Sequence, residues 1–178
     1  HKIVHLANGV NPGSFKPAPE LRPERPTVVT MARISPIKGI DTLARAAAAV
    51  RDAVPNVLFR VCGDIADAGY FAKVQAIIKE HKLEDNFQFG IAENVVKAYQ
   101  QAHVFCLPSN TEGMPYSILE AMLWACPVVA TDVGNVAETV ADTGLVVRPN
   151  DPPKLAEALV TLLAGPHAEE RRAQLAAA

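Results

Sequence analysis

Two glutamates separated by seven residues, Glu112 and Glu120, are the side chains of this 178-residue sequence best suited to chemistry. Glu112 lies in a predicted loop, and Pro115 suits the first turn of the helix that follows, because its missing N–H costs nothing there. A helix that begins at a glycine-containing loop directs free N–H groups and its positive dipole end outward, which favours an anion. Because glutamates beside such a site accept hydrogen bonds from hydroxyl groups, the pattern fits a ligand with both phosphate and hydroxyls, as a nucleotide sugar has.

Two cationic residues, Arg33 and Lys38, follow the first predicted strand. An arginine can bind a diphosphate through paired hydrogen bonds from its planar guanidinium group, and a lysine can bind it as a point charge. The turn from strand to helix is also where a doubly wound sheet binds its ligand. This turn has neither the G-x-G-x-x-G pattern nor the P-loop pattern, which argues against a dehydrogenase or an NTPase.

Strands and helices alternate along the chain, which predicts right-handed crossovers and a parallel sheet. We expect a Rossmann-like, doubly wound α/β fold with six strands in the order 3-2-1-4-5-6. That order puts the first and fourth strands side by side, so that Arg33, Lys38 and the Glu112 loop converge. The predicted strands are 27–32, 56–62, 86–89, 103–107, 127–131 and 144–147; the predicted helices are 40–54, 70–81, 93–101, 116–124, a short helix carrying Glu138, and 152–163.

Composition and charge bear on three questions: nucleic acid as a partner, membrane segments, and the redox setting of the cysteines. The net charge of −2 gives no reason to expect nucleic acid as a partner. No apolar run reaches the length of a membrane span, and no signal peptide pattern opens the sequence. Three cysteines in apolar surroundings, Cys62, Cys106 and Cys126, predict buried free thiols and a reducing, cytoplasmic setting. His103 has no partner at metal-ligand spacing, so we interpret it as a strand histidine with a hydrogen-bond partner.

The chain divides into three predicted segments. Residues 1–26 contain five prolines and are expected to form a crossover or linker segment. Residues 27–164 form the predicted ligand-binding domain, and the tail 165–178, rich in alanine, glutamate and arginine, is expected to be helical. Because the sequence begins at His1 and its first residues do not resemble the start of a domain, we expect it to be a fragment of a longer protein.

The residues around the two glutamates resemble the E-x7-E signature of the retaining glycosyltransferases of the GT-B architecture, glycosyltransferase family 4. The resemblance covers the whole chain and implies the C-terminal, donor-binding half of a GT-B fold. The runs ARISPIKG and EGMPYSILEAM are similar to bacterial exopolysaccharide enzymes, including the UDP-glucose-using transferase of Pel polysaccharide synthesis. The matching set is Pro108-Ser109, Glu112-Gly113, Glu120-Ala121-Met122, Pro127-Val128-Val129-Ala130-Thr131 and Gly134.

The resemblance implies a role for each candidate residue. Arg33 and Lys38 would bind the donor diphosphate and steady the leaving group, and with Glu112 they form the expected catalytic set. Glu112 would hold hydroxyls of the donor sugar, and Glu120 would hold those of the ribose. Four residues between the two glutamates would contact phosphate or sugar: Gly113, Met114, Tyr116 and Ser117.

The sequence departs from the family at two positions where glycine is usual, Ala32 and Ala125. If residue 125 must adopt a positive φ, alanine there costs on the order of 1 kcal/mol. The D-x-D metal-binding motif of the other glycosyltransferase architecture does not occur, so we expect no metal and no cofactor.

The resemblance implies two partners, a nucleotide-diphosphate sugar and the missing N-terminal acceptor domain of the same protein. It also implies a place at the inner face of the membrane, in a membrane-associated biosynthetic complex. We therefore expect this chain to bind donor weakly without turning it over. Two alternatives stay open: a non-catalytic nucleotide-sugar-binding or interaction domain, and a GT-B epimerase acting on UDP-sugars.

Overall fold

A computed structural model of the chain describes residues 19–164, 170 and 174. Most of the predicted linker and most of the predicted tail therefore lie outside the described residues. The described strands are β1 (Thr27–Met31), β2 (Leu58–Cys62), β3 (Phe87–Gly90), β4 (Val104–Leu107), β5 (Val128–Thr131) and β6 (Gly144–Val147). The α-helices of residues 19–164 are α1 (Ile40–Ala53), α2 (Ala68–Glu80), α3 (Val95–Gln100), α4 (Tyr116–Leu123), α5 (Val136–Val140) and α6 (Pro152–Leu163).

The six strands form one parallel sheet in the order β3-β2-β1-β4-β5-β6. The predicted fold class and strand order are confirmed. Strand β1 lies at the centre, with Val29 paired to Arg60 of β2 on one side and to Phe105 of β4 on the other. The order reverses between β1 and β4, so the loops that follow these two strands flank the topological switch point.

Alternate residues of the central strands enter two separate hydrophobic cores. Val28 belongs to the core formed with α1, α2 and α6. Its neighbour Val29 belongs to the opposite core, formed with α3, α4 and α5. Because side chains alternate across a strand, a strand buried on both faces must be apolar at successive positions. This is why the central strands β4 and β5 are nearly continuous apolar runs.

The predicted element boundaries agree with the structure to within two residues. The second strand was predicted to begin at Asn56, and it begins at Leu58. The difference has a physical cause, because the guanidinium of Arg25 binds the carbonyl oxygens of Asn56 and Val57 at 2.8 and 3.4 Å. Those carbonyl groups therefore cap the entrance to the strand instead of joining the ladder.

The predictions for His103 and for the three cysteines are confirmed, and the condition stated for Ala125 is met. His103 is a histidine with a partner, because its Nδ1 atom accepts a hydrogen bond from the Thr27 N–H at 3.2 Å. Ala125 adopts a φ of 51°, and its carbonyl accepts a hydrogen bond from Arg22 Nη2 at 3.0 Å. The cysteines of the chain are free and buried.

Arg60, which interrupts the apolar run of β2, lies between two glutamine side chains. Its Nε and Nη1 atoms donate hydrogen bonds to Gln88 and Gln101 at 3.2 and 3.0 Å. No helix among the described residues is both long and apolar enough to cross a membrane.

Candidate functional site

The loop after β1 (residues 32–39, the β1 loop) and the loop after β4 (residues 108–115, the β4 loop) lie against each other. The Asn110 N–H donates to the Ile37 carbonyl at 2.7 Å, and Asn110 Nδ2 donates to the Pro36 carbonyl at 2.8 Å. Gly39 has a φ of 61°, and a Cβ atom at that position would lie 2.0 Å from the Pro108 carbonyl oxygen. Glycine therefore permits the close approach of the two loops.

The two loops bring Lys38 and Glu112 into an ion pair. Lys38 Nζ lies 2.6 Å from Glu112 Oε1, and the two side chains are only 22% and 9% exposed. The same oxygen accepts a hydrogen bond from Ser109 Oγ at 2.7 Å. Ser109 is itself fully buried, and its carbonyl accepts a hydrogen bond from the Thr131 hydroxyl. The predicted meeting of Lys38 with the Glu112 loop is thus confirmed, and the carboxylate is held from two sides.

A third loop, which follows β5, supports the backbone of Glu112 and Gly113. The Asn135 N–H donates to the Gly113 carbonyl at 3.0 Å. Gly134 has a φ of 56°, and a Cβ atom there would lie 2.1 Å from the Glu112 carbonyl oxygen. The position of the β4 loop therefore depends on the absence of a side chain at residue 134.

Arg33 was predicted to converge with Lys38 and Glu112, and the structure brings only the latter two into contact. The Arg33 side chain is exposed and forms no hydrogen bond or ion pair within the described part of the chain. Its neighbours Ala32 and Ile34 are buried, so the side chain of residue 33 lies on the opposite, solvent-facing side of the β1 loop. Its guanidinium is accordingly available to a ligand.

The start of α4 differs by one residue from the predicted arrangement. Pro115 was expected in the first helical turn, but its ψ of 117° makes it the residue that precedes the helix. Tyr116 opens the helix and is 52% exposed. Gly113 is exposed, whereas Met114 and Ser117 are half-buried. A Cβ atom on Gly113 would have no neighbour within 4 Å, so the loop presents open space at the helix entrance.

Glu120 lies on α4 and is held by a buried tyrosine. The Tyr99 hydroxyl donates a hydrogen bond to Glu120 Oε2 at 2.8 Å and lies 3.3 Å from the Ser117 carbonyl. Burial of the phenol, and then its hydrogen bond to Glu120, raise the pKa of Tyr99 above its usual value of 10.0. Its hydroxyl therefore keeps its proton and acts as a donor to the carboxylate.

A cleft of about 440 Å³ opens beside the ends of β2 and β3. It adjoins the β1 loop, because the Ala32 N–H donates to the Cys62 carbonyl and the Gly63 N–H donates to the Gly90 carbonyl, at 3.0 and 2.9 Å. Helix α3 forms its opposite wall. The side chains that line the cleft are a mixture of polar or charged ones and apolar ones such as Ile91. The polar and charged ones include Arg60, Gln88, Glu93, Lys97 and Gln101.

The arrangement combines a cation, two anchored carboxylates, an exposed arginine and an open helix entrance along one edge of the sheet. Such a site can bind a ligand that has both phosphate charge and hydroxyl groups. Within the part of the chain that the structure describes, no three side chains of the His, Cys, Asp and Glu types form a cluster able to hold a metal ion.

Neither Ser109, which was named only in the matching set, nor Tyr99 was given a site role from the sequence. Ser109 carried a usable signal, since a polar residue directly after a buried strand lies at the ligand-binding edge of a parallel sheet. Tyr99 carried none, because an aromatic residue on an amphipathic helix is usually a core residue and its hydroxyl partner depends on the tertiary structure.

The chain is similar to known proteins in both sequence and fold. The family model described as "Glycosyl transferases group 1" matches residues 14–178. The GDP-mannose-dependent alpha-(1-6)-phosphatidylinositol monomannoside mannosyltransferase of Mycolicibacterium smegmatis is 33% identical over 185 residues. That alignment covers 92% of this chain and 48% of the relative, so the chain spans about half the length of this curated relative.

Two solved structures show the same architecture. The C-terminal domain of the glycosyl transferase group 1 family protein LpcC from Francisella tularensis has a TM-score of 0.82 at 23% identity, covering 94% of this chain and 93% of that domain. The Anabaena protein HepE, in complex with UDP-glucose, has a TM-score of 0.78 at 25% identity, covering 86% of this chain and 42% of HepE. The sheet described above is therefore that of the GT-B glycosyltransferases.

Proposed function

Since this chain belongs to the family of glycosyl transferases group 1, we propose that it is the C-terminal, donor-binding domain of a retaining glycosyltransferase. The complete enzyme would move a sugar from a nucleotide-diphosphate sugar to a polysaccharide, glycolipid or other sugar acceptor. The observation that carries this proposal is the ion pair of Lys38 and Glu112, 2.6 Å apart at the switch point of the sheet. This pair supports the proposal, because a cation suited to bind phosphate lies next to a carboxylate suited to accept hydrogen bonds from hydroxyl groups.

In this proposal Lys38 and Arg33 bind the diphosphate of the donor. When the sugar departs, negative charge accumulates on the β-phosphate, and cations already in position stabilise it without reorganisation. Lys38 is held by its contact with Glu112, whereas Arg33 is exposed on the same loop and would close on the phosphates from solvent. The backbone N–H groups at the entrance of α4 add their partial charge to the same region.

Glu112 is assigned a binding and electrostatic role toward the donor sugar. Its Oε1 atom receives hydrogen bonds from Lys38 and Ser109, which leaves Oε2 to accept from sugar hydroxyls. Because Lys38 touches the same carboxylate, the sugar and the β-phosphate would lie next to each other, as they are in the donor molecule. In this proposal Gly113, Met114, Tyr116 and Ser117, at or just before the start of α4, contact the phosphate or the sugar.

Glu120 is assigned to the ribose hydroxyls, and the cleft beside β3 to the nucleotide base. Helix α3 supports this assignment, because its Tyr99 binds Glu120 and its Lys97 and Ala98 line the wall of the cleft. A ribose between the Glu120 carboxylate and that cleft would connect the base to the diphosphate. The order along the sheet edge would then be base, ribose, diphosphate and sugar.

The donor we favour is UDP-glucose, with an exopolysaccharide acceptor. The similarity of ARISPIKG and EGMPYSILEAM to bacterial exopolysaccharide enzymes supports it, as does the likeness to HepE in complex with UDP-glucose. GDP-mannose is the competing donor, since the name of the mycobacterial relative specifies it. The enzyme would then act on the cytoplasmic side, at the inner face of the membrane, within a membrane-associated biosynthetic complex.

The acceptor domain would come from the other half of the protein. The coverage of 48% of the mycobacterial relative supports a second domain of similar size. Large apolar side chains exposed at the ligand-binding edge also support it, because apolar residues at such an edge can be covered by a second domain. These exposed side chains are Ile37 at 56%, Ile65 at 51%, Ile91 at 78% and Tyr116 at 52%.

Calorimetric titration of this chain with UDP, GDP, UDP-glucose and GDP-mannose tests the proposal. We expect weak binding of one nucleotide and of its sugar conjugate, with no release of free sugar during the titration. Absence of binding to all four ligands would overturn the donor-site assignment, and transfer by this chain alone would overturn the two-domain assignment. A non-catalytic nucleotide-sugar-binding domain is the alternative outcome, in which donor binds but the full-length protein transfers nothing.

A further inference from the structure

We infer that Tyr99 is a positioning residue for ribose recognition: it fixes the carboxylate of Glu120 so that one oxygen faces the nucleoside. The inference rests on the proposed function, because it concerns the same donor site. It assigns to a buried residue of α3 a part in distinguishing ribonucleotides from deoxyribonucleotides.

Tyr99 is a rigid donor. Its side chain is 1% exposed and belongs to the core formed with α3, α4 and α5. Its ring lies 5.7 Å from that of Phe105, a residue of the central strand β4, with an angle of 44° between the ring planes. Since the interior is close-packed, the phenol has no room to follow a moving partner. Its hydroxyl is therefore a fixed point relative to the sheet.

The Tyr99 hydroxyl has one proton and two neighbouring acceptors. Glu120 Oε2 is 2.8 Å away, and the Ser117 carbonyl is 3.3 Å away. A charged acceptor at the shorter distance forms the stronger hydrogen bond, so the proton points to Glu120. Among the described residues no donor reaches Glu120 Oε1, so the second oxygen is presented to whatever occupies the site.

Glu120 needs this support for two reasons. A glutamate on a half-exposed helix surface has several rotamers, and binding a ligand with only one of them costs affinity. A donor diphosphate is also negatively charged, so a mobile carboxylate nearby would turn away from it into solvent. The hydrogen bond from Tyr99 withdraws charge from Oε2 and holds Oε1 where a ribose hydroxyl can donate to it.

The test compares ribose and dideoxyribose ligands on the Tyr99→Phe variant of this chain. The probes are UDP and GDP, each with its 2′,3′-dideoxy form, and the quantity compared is the ratio of their dissociation constants. We expect the unsubstituted chain to prefer the ribose form and Tyr99→Phe to reduce that preference about two- to tenfold, the range for one side chain that loses its preorganisation. An unfolded fraction of the protein lowers the apparent affinity for both ligands by the same factor. The ratio of the two dissociation constants therefore does not respond to a loss of stability.

Tyr70→Phe is the matched control. Tyr70 is a second buried tyrosine whose hydroxyl donates to a carboxylate, Asp41 Oδ1, at 2.6 Å. The same oxygen atom is removed there, so stability should fall while the ribose preference stays unchanged. A preference in Tyr99→Phe within twofold of that in the unsubstituted chain would overturn the inference.

Glu120→Asp provides a second variant that leaves the tyrosine and the core intact. The shorter side chain cannot bridge from Tyr99 to the ribose, so we expect the preference to fall, and adding Tyr99→Phe should change it no further. Retention of the full preference in Glu120→Asp would also overturn the inference. If the unsubstituted chain binds neither nucleotide or shows no ribose preference, the proposed role of Glu120 fails, which is a different result from an unaltered preference in Tyr99→Phe.

Discussion

Lys38 and Glu112 are 74 positions apart in the sequence, yet Nζ of the first lies 2.6 Å from Oε1 of the second. The pair joins the loops after β1 and β4, which are neighbours only because the strand order reverses between them. Both side chains are largely shielded from water, so their attraction is stronger than that of a surface pair. The pair thus keeps the two halves of the candidate site together before any ligand arrives.

Replacing Lys38 with alanine should weaken binding of the preferred nucleoside diphosphate roughly 10- to 100-fold, because a charged hydrogen bond to phosphate is lost. Calorimetry on this chain measures the effect, and transfer by the full-length protein should fall with it. Lys154→Ala is the control, since Lys154 forms an ion pair with Glu157 at 2.7 Å in which both side chains are more than half exposed. Equal affinities of the Lys38→Ala and Lys154→Ala variants would remove Lys38 from the proposed site.

The sequence allowed the meeting of Lys38 and Glu112 to be predicted, because strand order alone brings their loops together. It did not predict which side chains would touch. Arg33 has the same charge and lies on the same loop as Lys38, but it faces solvent. Tyr99 was indistinguishable from a core residue, because only the packing of α3 against α4 determines what its hydroxyl reaches. Strand order follows from local patterns, whereas side-chain direction follows from tertiary contacts.

Gly134→Ala should destabilise the chain and weaken nucleotide binding together. A Cβ atom at this position would lie 2.1 and 2.6 Å from the carbonyl oxygens of Glu112 and Gly113, and the φ of 56° is itself unfavourable for alanine. We expect a loss of about 1–3 kcal/mol in the free energy of unfolding, typical of a residue held in a sparsely populated conformation. Urea unfolding and nucleotide titration measure the two effects.

Gly69→Ala is the matched control for that substitution. Gly69 lies in α2, and a Cβ atom there would meet only Asp67 Oδ1, at an ordinary distance of 3.4 Å. Because alanine favours a helix more than glycine does, this variant should be as stable as the parent chain or up to about 1 kcal/mol more stable. If Gly134→Ala unfolds and binds as Gly69→Ala does, the loop after β5 does not support Glu112.

Ala125→Gly should stabilise the chain by about 0.5–1 kcal/mol. The substitution relieves a left-handed conformation that costs an alanine on the order of 1–2 kcal/mol, and the greater freedom of the unfolded chain offsets part of that gain. Residue 125 has a φ of 51° just after α4, where the resemblance to the family led us to expect glycine. Thermal unfolding measures the change as a higher Tm. Ala48→Gly, inside α1, is the opposite control and should lower the Tm. A lower Tm for Ala125→Gly would mean that alanine is not strained at this position.

Stability should fall above pH 9 partly because of Cys126. Burial raises the pKa of this thiol from 9.0 to about 12, an effect that the nearby Arg22 charge only partly offsets. Between pH 9 and 12 the folded state therefore keeps a proton that the unfolded state releases. The contribution of Cys126 to the free energy of unfolding is complete below pH 9 and is lost as the pH rises toward 12.

The Cys126→Ala variant isolates this contribution. Tyrosines, lysines and the other two cysteines also titrate above pH 9, so the comparison is between the pH dependence of the variant and that of the parent chain. Between the two pKa values, the free energy of unfolding of the parent should fall more steeply, by at most about 1.4 kcal/mol per pH unit. Urea unfolding at several pH values in that range measures both slopes. Because a packing defect in the variant shifts its stability at every pH, it leaves the slope unaffected, and parallel curves would mean that Cys126 ionises in the folded state as readily as in the unfolded chain.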